Sequence, residues 1–103
     1  MLSFIKKIFI NRPVDYKELI GAGAIIIDVR TGAEFKSGHI AGSKNIPLDS
    51  IRSKITELKN LNKPVVTVCR SGARSGMAIG ILKAAGIDAY NGGPGNNLKN
   101  KIS

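Results

Sequence analysis

The chain has 103 residues, a formal net charge of +9, and 43% hydrophobic against 22% charged residues. That is one domain with room for a real core and an ordinary soluble composition. A single cysteine excludes an internal disulfide or a cysteine-based zinc site, and three Phe, two Tyr and no Trp argue against a platform of stacked bases.

The lysines are spread along the chain rather than packed into one tract. The charge therefore points to a small anionic substrate or an acidic partner protein, and no nucleic-acid partner is expected. No stretch approaches the roughly 20 apolar residues that span a bilayer, so stable membrane insertion is not expected. The N-terminus lacks the apolar core of a signal peptide. A lone thiol fits a reducing compartment, and the protein is read as cytoplasmic.

Residues 1–12 form an amphipathic N-terminal segment. Leu2, Ile5, Ile8 and Phe9 share one helical face, and Lys6 and Lys7 lie on the other. Such a segment packs on the domain or binds a membrane surface marginally. The domain proper is assigned to residues 13–103. Asp15 and Glu18 have capping-box spacing before a short helix that ends near Ile20. Ala24 to Val29 opens as a continuous apolar run, Ala-Ile-Ile-Ile, and closes with Asp28-Val29, as in a strand buried on both faces. Thr31 and Glu34 repeat the capping-box spacing, and Gly38 ends the helix that they start.

Lys44 to Pro47 reads as extended. Asp49 is expected to cap a helix in which Ile51, Ile55 and Leu58 share a face. Val65 to Val68 is a second buried strand. A helix is expected from about Ser75 to Ala85, with Met77, Ile81, Leu82 and Ala85 on its apolar face and Gly86 as its stop. Ile87 to Tyr90 is a third strand, Asn91 to Gly95 reads as irregular, and Asn96 to Ile102 as one or two helical turns. Strands alternating with helices define an α/β domain with a mostly parallel central sheet flanked by helices.

Cys69 stands where the second buried strand runs out. Ligands in such folds bind beyond the carboxyl ends of the strands. The segment Arg70-Ser71-Gly72-Ala73-Arg74 is small and cationic, and a helix follows. Its N–H groups and the helix N-terminus make an anion cradle around the thiol. Thiols so placed titrate well below the free value of about 8.5. No histidine base is then needed.

These segments together resemble the single-domain rhodanese-like sulfurtransferases. Ile27-Asp28-Val29-Arg30, Glu34-Phe35 and Gly38-His39-Ile40-Ala41-Gly42-Ser43-Lys44-Asn45-Ile46-Pro47 look like the family's N-terminal signature. Cys69-Arg70-Ser71-Gly72-Ala73-Arg74-Ser75 looks like its active-site loop, and Gly92-Gly93 like its closing motif. The resemblance covers about residues 13–97 and implies a rhodanese-like three-layer fold.

It also implies ping-pong sulfur transfer. Cys69 would take sulfane sulfur from an anionic donor such as thiosulfate, hold it as a persulfide, and yield it to cyanide or a thiol. A sulfur-relay protein is a further expected partner. Arg70 to Arg74 form the implied substrate-binding set: Arg70, Ser71, Gly72, Ala73 and Arg74. Arg70 is expected on the donor, whereas Arg74 either touches the donor or pairs with an acidic residue. Asp28, Arg30, Glu34 and Ser75 are implied as loop-bracing, and His39 as structural. No metal or cofactor is implied. One departure stands out, since Pro94-Gly95-Asn96-Asn97-Leu98 lies where the family often carries Trp.

Two alternatives compete. A cysteine-dependent phosphatase or arsenate reductase would need arginine six positions after the cysteine, but Arg74 is the fifth and Ser75 the sixth. A non-enzymatic persulfide carrier or interaction module would need the same Cys69.

Overall fold

Among the described residues four short strands build the sheet, and all of them run parallel. They are β1 (Ile25–Asp28), β2 (Lys44–Asn45), β3 (Val65–Cys69) and β4 (Ala89–Pro94), in spatial order β2-β1-β3-β4. The structure, a computed structural model, describes residues 14–103, and the amphipathic segment over residues 1–12 lies outside them. Every residue of β3 is buried, which explains why its sequence is β-branched without polar alternation.

The two-residue period of the strands sorts the core into two layers. Ile26, Val66 and Val68 face one side, where α1 (Tyr16–Gly21) brings Leu19 and Ile20 and α5 (Gly95–Ile102) brings Leu98 and Ile102. Ile27, Val65 and Cys69 face the other side. There Leu58 of α3 (Ile55–Leu61) and Ala78 and Leu82 of α4 (Ala73–Ala84) cover them. Short α2 (Gly32–Lys36) follows β1. The result is the expected three-layer α/β arrangement.

Thr31 and Glu34 close the full reciprocal capping box on α2. At α1 only half of the expected box forms, with Asp15 Oδ1 accepting the Glu18 N–H at 3.0 Å. Asp49 caps no α-helix. It lies inside a 3₁₀ turn over Leu48–Ser50, a second turn follows over Arg52–Lys54, and α3 begins only at Ile55. Fully buried Ile51 anchors the junction, and Ser53 Oγ donates to the Ser50 carbonyl at 2.8 Å. Such local side-chain bonds compete with a continuous helix.

Helix α4 starts two residues before the expected Ser75; Ile81, Leu82 and Ala85 of the expected face pack on the core, but Met77 does not. Ser75, Ala78 and Leu82 are buried, while Met77 is 61% exposed. The face is turned because Ser75 must meet β3, where its carbonyl accepts Thr67 Oγ1 at 3.0 Å.

Asn91 to Pro94 is strand rather than irregular. The register slips on β4, so that Thr67 pairs with Asn91 but Val68 with Gly93. Gly92 is the extra residue of this bulge. A Cβ there would lie 2.9 Å from the Thr67 carbonyl oxygen and from Val68 Cγ1, so the close approach requires glycine. Beyond the bulge, fully buried Leu98 fills the core under α5. It supplies apolar volume near the place where the family often has Trp.

Candidate active site

Parallel pairing brings the carboxyl ends of β1, β3 and β4 together, and the site residues leave from those ends. Cys69 is the last residue of β3 and is only 2% exposed. The chain then turns sharply through Gly72, whose φ of +93° suits glycine, and enters α4. The turn wraps polar hydrogens around the sulfur. Gly72 N–H donates to Sγ at 2.9 Å and Ser75 N–H at 3.4 Å, and Ser75 Oγ lies 3.4 Å from Sγ.

Burial pushes the Cys69 thiol up. The Ser75 hydroxyl and the N–H groups of Ser75, Gly72 and Ser71 outweigh it, and the thiol titrates below its ordinary value. The cradle foreseen from the sequence is therefore made mainly of hydrogen-bond donors. Arg74 adds a longer-range attraction.

Arg74 directs both guanidinium tips at Glu34, Nη1 to Oε1 at 2.7 Å and Nη2 to Oε2 at 2.9 Å. It braces the loop against α2 and does not line the cavity over Cys69. Ser71 is exposed, and its Oγ accepts the Ala73 N–H at 3.4 Å. Arg70 is exposed and lines the cavity mouth.

Beneath the cavity lies a buried ion pair. Asp28 is 2% exposed and takes Nε of Arg30 at 2.9 Å and Nη2 at 2.7 Å, and Nη2 also donates to the Gly38 carbonyl at 2.7 Å. Among the described residues Nη1 of Arg30 has no hydrogen-bond partner, and Arg30 lines the cavity. Arg30 is thus both a brace and a cation at the cavity wall.

His39 stacks on Phe35 with ring centroids 3.6 Å apart, and its Nδ1 lies 2.8 Å from the Phe35 carbonyl oxygen. It forms wall rather than cradle. The cavity measures about 450 Å³ and extends from Cys69 between the Gly38–Ile40 loop and the start of α5, where it meets Asn96 and Lys99.

Sequence reading missed Asn91 and Lys99. Asn91 Oδ1 lies 2.7 Å from Ser75 Oγ, and its Nδ2 donates to the Gly72 carbonyl at 3.2 Å. The signal was the Asn-Gly-Gly run itself, which reads as a bulge only once its partner strand is known. Lys99 gave no signal, because its place at the cavity depends on how α5 docks.

Fold and site together define a class: parallel α/β domains with one cysteine at the end of the central strand, cradled by the turn that follows. The chain belongs to the rhodanese-like family, since residues 12–93 match the Rhodanese-like domain. Among curated relatives, YqhL of Bacillus subtilis, an uncharacterized protein, is 41% identical over 69 residues, covering 66% of this chain and 54% of that one. The putative sulfur carrier protein YrkF of Bacillus subtilis is 39% identical, over 60% of this chain and 33% of its own length. Thiosulfate sulfurtransferase GlpE of Ectopseudomonas mendocina is 32% identical, over 73% and 68%. The chain thus spans about half the length of YqhL and a third of YrkF. The crystal structure of a rhodanese-like domain protein from Staphylococcus aureus superposes with a TM-score of 0.67 at 31% identity, covering 90% of this chain and 82% of that one. No helix of the described residues is long and apolar enough to cross a membrane.

Proposed function

We propose that the protein is a sulfurtransferase that carries sulfane sulfur on Cys69 between an anionic donor such as thiosulfate and a thiol or cyanide acceptor. The hydrogen-bond cradle on Cys69 Sγ carries this reading. In the first step the thiolate attacks the outer sulfur of thiosulfate. The S–S bond of the donor breaks, sulfite leaves with its electron pair, and Cys69 holds the persulfide anion. In the second step cyanide attacks the outer sulfur and leaves as thiocyanate, and the Cys69 thiolate is restored.

The donor carries negative charge, and the cavity offers it Arg70, Lys99 and the Asp28-paired Arg30. Sulfite leaves against the same cations. These charges draw anions in and suppress neutral competitors. A phosphatase is disfavoured by more than loop length, because Arg74 is occupied by Glu34 and does not line the cavity. A thiol that must stay reduced suits the cytoplasm, which is where this reading places the protein.

A second reading, favoured by the similarity to the putative sulfur carrier YrkF, makes Cys69 a sulfur relay between proteins. Steady-state thiosulfate:cyanide turnover, wild type against Cys69→Ser, separates the two. Turnover that vanishes in the variant supports the enzyme. No turnover in either, with wild type still taking up one sulfur atom from a persulfide donor, supports the carrier. Appreciable hydrolysis of an aryl phosphate contradicts both.

A further inference from the structure

Asn91 is tied to the cysteine loop at two points and to its own strand at a third. Oδ1 accepts the Gly93 N–H at 2.8 Å and faces Ser75 Oγ at 2.7 Å, and Nδ2 donates to the Gly72 carbonyl at 3.2 Å. These partners fix the amide. Turned over, Nδ2 would face the Gly93 N–H, and Oδ1 would face the Gly72 carbonyl. The β4 bulge at Gly92 aims the residue at the loop. Gly76 leaves room for it, since a Cβ there would stand 3.3 Å from Nδ2. Behind it, the Asn91 carbonyl accepts the Tyr16 hydroxyl at 2.8 Å.

Ser75 has one hydroxyl proton and acceptors on three sides: Asn91 Oδ1 at 2.7 Å, the Gly72 carbonyl at 3.1 Å and Cys69 Sγ at 3.4 Å. Ser75 is fully buried. With Cys69 as a thiol, the shortest contact takes the proton, and the S–H is free to donate to Oγ. With Cys69 as a thiolate, the charged sulfur is the stronger acceptor. Asn91 Oδ1 then keeps the Gly93 N–H, so rotation of the hydroxyl strands no buried acceptor.

We propose that Asn91 is a positioning residue for Cys69: it holds Ser75 Oγ in place, shares its proton with the sulfur, and releases that proton when the sulfur becomes an anion. The assignment deepens the reading of Cys69 as a sulfur-holding thiolate and rests on it. Asn91 touches no reacting atom and acts through Ser75. The other charged or titratable groups around Cys69 are Asp28 with Arg30, His39, Arg70, Lys99, and Glu34 with Arg74. They are the same in every variant below.

The test is the rate of Cys69 alkylation by iodoacetamide against pH. It needs no sulfur donor, so its failure is separable from a failure of sulfur transfer. Asn91→Asp keeps the size of the side chain, at an exposed position, but puts a carboxylate on the Ser75 hydroxyl and replaces the Nδ2 donor to the Gly72 carbonyl with an acceptor oxygen. The apparent pKa of Cys69 is expected to rise by about one unit, which slows alkylation about tenfold on the acid side. In a Ser75→Ala background the same substitution is expected to give a smaller rise, because only the direct repulsion between the carboxylate and the sulfur remains. An equal rise in both backgrounds overturns the route through Ser75. No rise from Asn91→Asp overturns the assignment.

Discussion

Arg74 meets Glu34 end-on across the cysteine loop, with Nη1 2.7 Å from Oε1 and Nη2 2.9 Å from Oε2. Glu34 Oε1 also accepts the Thr31 N–H at 3.0 Å. One carboxylate thus closes the start of α2 and clamps the first turn of α4. Lysine presents a point charge and cannot span both oxygens. Arg74→Lys is expected to lower kcat about tenfold with little change in KM, since a loosened loop misplaces the sulfur rather than the donor's cations. Steady-state kinetics decide it, and a change confined to KM would place Arg74 on the substrate instead.

The same pair makes stability depend on pH. The Arg74 guanidinium, with the Thr31 N–H, holds the Glu34 carboxyl well below the usual carboxylate range. In the acid range the folded protein therefore binds fewer protons than the unfolded chain, and stability rises with pH. The contribution is complete above the unfolded value of about 4.3 and is lost as pH falls through the lower folded value. Glu34→Gln is expected to lower Tm at neutral pH, and its gap to wild type is expected to close as pH falls below about 4. Thermal melts at several pH values read this directly, and a gap that stays constant would remove Glu34 from the acid limb.

Arg70 and Lys99 make no side-chain hydrogen bond or ion pair among the described residues, yet both line the cavity. Their charge is available to an anion. Arg70→Gln and Lys99→Gln are each expected to raise KM for thiosulfate about fivefold, on the order of 1 kcal/mol, with Tm unchanged. Added salt should shrink the difference. Arg30 behaves otherwise. Arg30→Gln leaves Asp28 buried without its cation, and a loss of roughly 3–5 kcal/mol of stability is expected. Urea melts separate the two classes.

Gly92 tests the β4 bulge. A methyl group there would meet the Thr67 carbonyl oxygen and Val68 Cγ1 at 2.9 Å and Val66 Cγ1 at 3.0 Å. Backbone on one side and packed core on the other leave little to give. Gly92→Ala is expected to cost about 1–3 kcal/mol and to slow sulfur transfer, because the bulge carries Asn91 and Gly93 toward the loop. A variant with wild-type Tm and rate would show that β4 accommodates the methyl group without disturbing the site.

The sheet was legible because β1 and β3 are β-branched and mostly apolar, and a buried parallel strand has few other spellings. Cys69 and its turn were legible because thiol, glycine and helix start lie within a few consecutive residues. The pairing of Arg74 with Glu34 was open in the sequence, since a guanidinium beside a thiol serves substrate or scaffold equally until a carboxylate is seen opposite it. Met77 was misplaced because the apolar face of α4 is set by Ser75 reaching Thr67, a contact between distant segments. Asn91 stayed hidden for the same kind of reason. Asn-Gly-Gly in isolation is turn chemistry, and only the slipped pairing with Thr67 and Val68 makes it a strand that supports the loop.

The central claim is that Cys69 holds sulfane sulfur, and the intact mass of the protein tests it most directly. After brief exposure to thiosulfate and removal of excess donor, wild type is expected to gain the mass of one sulfur atom and to lose it on adding cyanide. Cys69→Ser is expected to gain nothing. No gain in wild type, or the same gain in Cys69→Ser, would contradict the account.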